Sequence, residues 1–172
     1  YCQAWQQGAV VEFPDSWQTY WNSLDKRFRQ NAERCARRLR DRGELELVRF
    51  RPEPGSGVDP RWDLYEACVR LAEQSWQGSS RDGTTLCHAA VRDFFRDTHT
   101  AATRTGTVDL NLLTLSGRPI AFSYNYHFAG RVQGLRKGFD PKFSAMWPGL
   151  VLQQMMLEDG FDRGDRHYDL GV

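Results

Sequence analysis

The sequence predicts an α+β domain built on a mixed, mainly antiparallel sheet with helices on both faces. Three observations carry this. "TVDLNLLTL", "PIAFSYNYHF" and "RVQGLRKGF" read as strands, and the short "SGR" and "AG" connections between them are hairpin chemistry. An apolar helix from about Pro148 to Arg163 follows this meander, and "RHYDLGV" returns after it as a further strand. The segments before the meander are helices with a single apolar stripe each, and such stripes need a sheet to cover.

From the N-terminus, Ser16 to Arg42 reads as one long helix, capped by Asp15 or Ser16 and stopped by Gly43. Its apolar stripe is Phe28, Ala32, Cys35, Ala36 and Leu39, while arginines and Lys26 crowd its other faces. "ELELVRF" alternates as a strand over Glu44 to Phe50, and "RPEPGSGVDP" is a Pro/Gly loop. Asp59 and Pro60 then start a helix to about Trp76, with Leu64, Cys68, Leu71 and Ala72 inward. "QGSSRDG" breaks the chain before a helix over roughly Thr84 to Ala102, with Leu86, Ala90, Phe94 and Phe95 on its apolar side. The element order is helix, β, α, α, β, β, β, α, β.

The 172 residues suit one domain with a substantial core, and six tryptophans suit a packed globule. A net charge of +1 gives no global field toward nucleic acid or membrane, and no apolar run approaches the ~20 residues that span a bilayer. Cys2, Cys35, Cys68 and Cys87 show no CxxC spacing; the last three fall at apolar helix positions and read as reduced core thiols of a cytoplasmic protein. No His/Cys/Asp cluster has metal spacing, and neither a P-loop nor Gly-x-Ser-x-Gly is present. The chain starts at Tyr1 and stops inside a strand whose edge lacks a partner, so it reads as a piece of a larger protein.

Several residues suggest chemistry directly. Along Ile120 to Phe128, the row Ala121, Ser123, Asn125 and His127 faces opposite to Ile120, Phe122, Tyr124, Tyr126 and Phe128. That polar row either lines an acceptor cleft, with Asn125 binding substrate and His127 as general base, or is a partly solvated sheet face. "SAMWPG", at a strand-to-helix junction after Arg136 and Lys137, is either a plain αβ connection or a phosphate site at a helix N-terminus. Arg34 and Arg38 lie near one helix face with Arg27 and Asn31; that face is solvated, or it receives an anionic acceptor, donor phosphates or RNA.

"SWQTYWNSLDKRFRQNAERCARRL", "EQSWQG", "SGRPIAFSYNYHF" and "GFDPKFSAMWPGLVL…GDRHYDLG" together resemble the CelD-type acetyltransferase domain, a GNAT branch related to the Fem-type peptidyltransferases. The resemblance runs over nearly the whole chain. It implies a single GNAT-like domain over residues 1–172, part of a longer two-lobed protein, with a C-terminal helix and strands missing here. It implies transfer of an acyl group from acetyl-CoA, or another CoA thioester, to a small-molecule amine. The donor would lie where the strands "RVQGLRKGF" and "HYDLG" splay, held by Gly134, Leu135, Arg136 and Lys137, with its pyrophosphate at Ser144, Pro148 and Gly149. Asp169 would orient or deprotonate the amine, unless it merely pairs with an arginine. Glu73 and Trp76 would face the cleft, although Trp76 read alone is a core plug. Candidate catalytic groups are thus Asp169, His127, Tyr126 and Glu73; Asn125, Trp76, Arg34 and Arg38 are candidate substrate contacts. The Gln/Arg-x-x-Gly-x-Gly/Ala phosphate signature of many GNAT proteins is absent. The Fem relationship adds aminoacyl-tRNA as an alternative donor, and a non-catalytic binding module that keeps the fold is the other alternative; no metal and no membrane span is expected.

Overall fold

The computed structural model describes residues 8–55, 57, 59–80 and 84–171; Cys2 and parts of the loops near 56–58 and 81–83 lie outside them. Six strands form one sheet: β1 (Val10–Glu12), β2 (Leu45–Phe50), β3 (Val108–Leu115), β4 (Arg118–Phe128), β5 (Arg131–Phe139) and β6 (His167–Asp169). Their order is β1-β6-β5-β4-β3-β2, and every neighbouring pair is antiparallel except β5 with β6. The meander and the returning strand therefore stand as predicted.

Helices cover both faces. On one, α3 (Trp62–Gln74) and α4 (Arg92–Arg104) bury Tyr65, Cys68, Leu71 and Phe95 against Leu110, Leu112, Phe122 and Tyr124. On the other, α2 (Lys26–Arg40) and α5 (Pro148–Asp162) bury Cys35, Leu39, Val151, Leu152 and Met156 against Leu113, Ala121 and Tyr168, and α1 (Trp17–Ser23) packs its aromatics beside them. Buried His99 accepts from the Tyr124 hydroxyl through Nδ1 and donates through Nε2 to the Pro60 carbonyl, which ties α4 to the first face.

Five expectations need correction. The long N-terminal helix is two, because Leu24 is extended and the Asp25 carboxylate takes the Phe28 N–H to start α2 afresh. The predicted Thr84–Ala102 helix begins only at Arg92, after a turn and a 3₁₀ segment at Ala89–Val91 whose start is capped by His88. Cys87 therefore lies in a turn, not on a helix. Phe28 and Phe94 are exposed, outside the stripes assigned to them. Ile120 joins the α2/α5 core, because a bulge at Leu113/Thr114 inserts an extra residue in β4 and turns its side chain over. The edge of β6 is not bare: β1, unforeseen in the sequence, pairs with it.

The polar row on β4 is also explained. Ser123 and Asn125 are buried beneath α5 in a network centred on Asp109 of β3, which has no exposed surface. Asp109 accepts from Arg49 Nε at 2.8 Å, Arg51 Nε at 3.2 Å and Asn125 Nδ2 at 3.1 Å. Arg49 continues to Asp159 on α5, and Arg51 makes a two-bond pair with Asp165, just before β6. His127 Nε2 sits 3.2 Å from the same Asp165. Burial disfavours the Asp109 charge, yet the two arginines outweigh it and hold the carboxyl down at about 2.

A depressed carboxylate contributes stability that is complete above its unfolded value, about 3.9, and is lost as pH falls through the folded value. Urea unfolding is therefore expected to show stability dropping by on the order of 2 kcal/mol from this group between pH 5 and pH 2. Asp109→Asn should flatten that part of the profile. Asp109→Ala, which leaves two buried guanidinium groups short of a partner, should cost about 3–5 kcal/mol at pH 7.

Candidate active site

The unusual geometry of this sheet is where β5 and β6 part. They pair in parallel over only three residues, Arg131–Gln133 with His167–Asp169. Beyond that point β5 runs on to Phe139 while the other chain turns away at Leu170. Gly134 marks the vertex: a Cβ there would lie 2.9 Å from the Leu170 carbonyl oxygen and 3.0 Å from that of Asp169. The next residue, Leu135, is the extra residue of a bulge, since Tyr124 faces Arg136 while Asn125 faces Gly134.

The bulge sets which backbone groups of β5 face the gap. Asp140 N–H donates to the Ile120 carbonyl, so by the alternation of an antiparallel ladder Lys137 and Phe139 turn their N–H and C=O groups to the opposite edge. The Lys137 carbonyl is taken by Gln77 Nε2 at 2.8 Å, from the 3₁₀ turn Trp76–Ser79 after α3. Gly138 makes this approach possible, because a Cβ there would sit 3.1 Å from the Gln77 amide nitrogen and 2.5 Å from the Phe122 ring. The strand thus keeps N–H donors along an open edge.

A cavity of about 270 Å³ lies against this edge, between β5, Ser123 and the Gly149–Met156 side of α5, with the 67% exposed Trp76 at its rim. Phe139 and Gly149 continue it into a second groove of about 450 Å³, lined by Ser144, Ala145, Trp147 and Leu150 at the start of α5. No side chain caps that helix. Trp147 holds a left-handed backbone (φ 49°) with its indole 62% exposed; Pro148 has no N–H, and the Leu150 and Val151 amides turn back to the Trp147 carbonyl. The Gly149 N–H is left at the exposed tip of a positive helix end, a place that favours an anion. Arg38 reaches it from α2, donating to the Ala145 carbonyl at 3.0 Å.

The predicted site residues separate into groups. Gly134, Leu135, Lys137, Ser144, Pro148, Gly149, Trp76 and Asp169 lie along the vertex, the open edge or the helix start. Lys137 is accessible at the cleft mouth; the crowding around it disfavours its charge and lowers its pKa, while nearby Asp169 acts in the opposite sense. Asp169 also accepts the Gly171 N–H at 2.9 Å. Arg136 points to the other face, toward the Thr84 carbonyl and the Phe95 ring. Asn125 has no surface open to a substrate, because its amide is shared among Asp109, Ser123 and Tyr168 beneath α5. His127 is bound to Asp165 beyond the closed end of the gap, and burial and Arg51 lower its pKa. Tyr126 packs on the α3/α4 side against Tyr124. Glu73 is exposed on α3, and Arg34 bonds Asn31 on its own helix. Arg27, Asn31 and Arg34 line an exposed stretch of α2, and Arg38 bonds across to the Ala145 carbonyl. Gln77 and Gln153 escaped notice in the sequence; "EQSWQG" contained the first, but nothing local showed that it reaches a strand 60 residues on.

A family model described as an acetyltransferase (GNAT) domain matches residues 26–172. The chain belongs to the GNAT acetyltransferase domain family. No curated protein matches it. Among solved structures, the GNAT fold seen here is similar to FemX (TM-score 0.64, 13% identity, covering 94% of this chain and 52% of that one). It is similar also to L-PGS from Bacillus licheniformis (0.60, 13%, 94% and 43%) and to the C-terminal domain of a putative lysylphosphatidylglycerol synthetase from Agrobacterium fabrum (0.55, 16%, 96% and 45%). This GNAT chain spans about half the length of those structures. Among the described residues no cluster could hold a metal ion, and no helix is long and apolar enough to cross a membrane.

Gly134→Ala tests the vertex. Its new methyl would press on backbone oxygens, which cannot rotate away, so chemical denaturation should show a loss of about 1–3 kcal/mol.

Proposed function

We propose that this domain transfers an acyl group from a CoA thioester to an amine acceptor by direct attack, as a CelD-type GNAT unit of a longer two-lobed protein. The observation that carries the reading is the parallel β5/β6 pair that parts after three residues, directly before the uncapped start of α5. A bound acyl-CoA supplies an activated acyl carbonyl. The open-edge N–H groups of Lys137 and Phe139 hold the donor's amide-bearing arm and polarise that carbonyl as charge develops on its oxygen. The Gly149 N–H and Arg38 receive phosphate at the helix start. Trp76 closes one side of the cleft against water.

Asp169 is the base in this reading. It stands at the vertex, and through a water it takes the proton that the amine nitrogen gives up as the C–N bond forms and the C–S bond breaks. Among the described residues no cysteine is set up as a covalent nucleophile: Cys35 and Cys68 are buried, and Cys87 has Thr85 as its polar neighbour.

Saturating acetyl-CoA is expected to raise the unfolding temperature, by an amount equivalent to about 2.7 kcal/mol at a hundredfold excess over Kd. No shift with any CoA thioester would overturn the reading. Arg38→Ala should weaken binding of CoA and of 3′,5′-ADP alike. Asp169→Asn should leave donor binding intact and lower thiol release with a panel of amines by about 10²-fold or more. A tRNA affinity that falls steeply with salt, without any CoA response, would instead favour the Fem-like donor.

A further inference from the structure

Positive charge in this chain is gathered on one helix. α2 carries seven lysines and arginines against a single acid, Glu33, whereas the whole chain nets only +1. Among the described residues none of the seven pairs with a carboxylate. Arg27, Arg34, Arg37 and Arg38 are exposed, and Arg27, Arg34 and Arg38 recur on one side of the helix over about 16 Å of its axis. Such a row attracts an acidic surface.

The row joins the cleft at one particular end. Arg38 donates to the Ala145 carbonyl at 3.0 Å, and Ala145 lines the groove at the start of α5. That helix start lies against Phe139, since a Cβ on Gly149 would sit 3.8 Å from the Phe139 ring. Asp169 stands at the other end of the open edge, beside Gly134, about 17 Å back along the strand. The arginines therefore meet whatever is attached beyond the donor's phosphate, not the acceptor amine.

The helix start itself offers little to a nucleotide. One free amide, the Gly149 N–H, and one guanidinium, Arg38, make a seat for one phosphate group, and the glycine signature of a pyrophosphate loop is absent. Arg27, Arg34, Arg37 and the exposed Trp147 indole lie outside that seat, and Arg and Trp are the side chains that most often anchor protein partners. Asp25 and Glu33 share the row. These carboxylates would repel a chain of phosphates, but they suit a folded partner with a few bases among its acids.

We infer that this domain takes its acyl group from an acidic carrier protein, which docks on the arginine row of α2 and feeds a phosphopantetheine thioester into the cleft at the start of α5. This rests on the thioester reading above, with the carrier's arm in the place of CoA. The amine forms its C–N bond, the C–S bond breaks, and the sulfur takes up the proton that the amine gave to Asp169. The free thiol stays on the carrier.

Calorimetric titration of the full chain with CoA, with an acidic acyl carrier protein bearing its arm, and with the same carrier lacking the arm tests this. The armed carrier is expected to bind about tenfold or more tightly than either of the others, because arm and surface bind together. That margin should disappear between about 50 mM and 500 mM salt. Arg27→Glu with Arg37→Glu should remove it and leave CoA affinity unchanged; Arg27→Gln with Arg37→Gln, which keeps helix propensity, serves if the reversal fails to fold. Equal affinity for CoA and the armed carrier, or a margin indifferent to salt and to both variants, would overturn the docking row and leave the CoA reading standing. Binding of tRNA to the same arginines more tightly than the carrier would overturn it as a protein site. Failure of CoA and the armed carrier alike to bind would overturn the thioester reading and the docking row with it.

Discussion

The buried carboxylate of Asp109 organises more of this molecule than any other group. Arg49 of β2 and Arg51, just past its end, converge on it, and each arginine has a second acidic partner outside the strands. Those partners, Asp159 and Asp165, bracket the end of α5 and the entry to β6. The ionic cluster thereby fastens the α5-to-β6 connection onto the far side of the sheet. Its own worth as a set of ion pairs is modest, since desolvation consumes much of the attraction. What it contributes is placement: β6 must enter beside Arg131–Gln133 of β5, and it cannot slide along that strand without unpairing buried charge.

With one end of α5 held in this way, the other end is free to stand off. Apolar contacts from Val151, Leu152 and Met156 keep the helix on the sheet, while its first turn projects past Phe139 with no capping side chain. The β5/β6 gap, the bulge at Leu135 and the bare helix start are thus parts of one geometry. Two glycines without a special backbone angle make it possible: Gly134 lets the chain of β6 close in, and Gly138 lets Gln77 and Phe122 close in from the opposite side.

Much of the fold was legible in the residues themselves. Period-two strands with tight hairpins and an apolar helix before "RHYDLGV" were sufficient for the meander, α5 and β6. The errors have common physical causes. Asp25 and His88 are local caps that restart a helix inside a continuous helical pattern, and such caps outrank periodicity over a few residues. β1 is three residues long and exists only because β6 is there to pair with it. Gly134, Lys137, Gly149 and Asp169, whose places follow from backbone position, do fall along the parted strands and the helix start. Asn125 and His127 were misleading because an alternating polar row looks the same whether it meets a ligand or buried Arg49, Arg51 and Asp109. Arg49 of β2 and Arg51 just past it, distant in sequence from the row, decide between the two, and no local pattern names them.

A strand that loses its neighbour in mid-sheet leaves a row of backbone donors and acceptors bare, and such rows invite strands from other molecules. β5 has this hazard over Gly134–Phe139. Gln77 occupies the Lys137 carbonyl, Trp76 overhangs from the same turn, and the first turns of α5 roof the remainder. An incoming strand finds fewer free groups here than on a bare edge. The side chain that shapes the cleft is thus also the one that guards the protein against self-association.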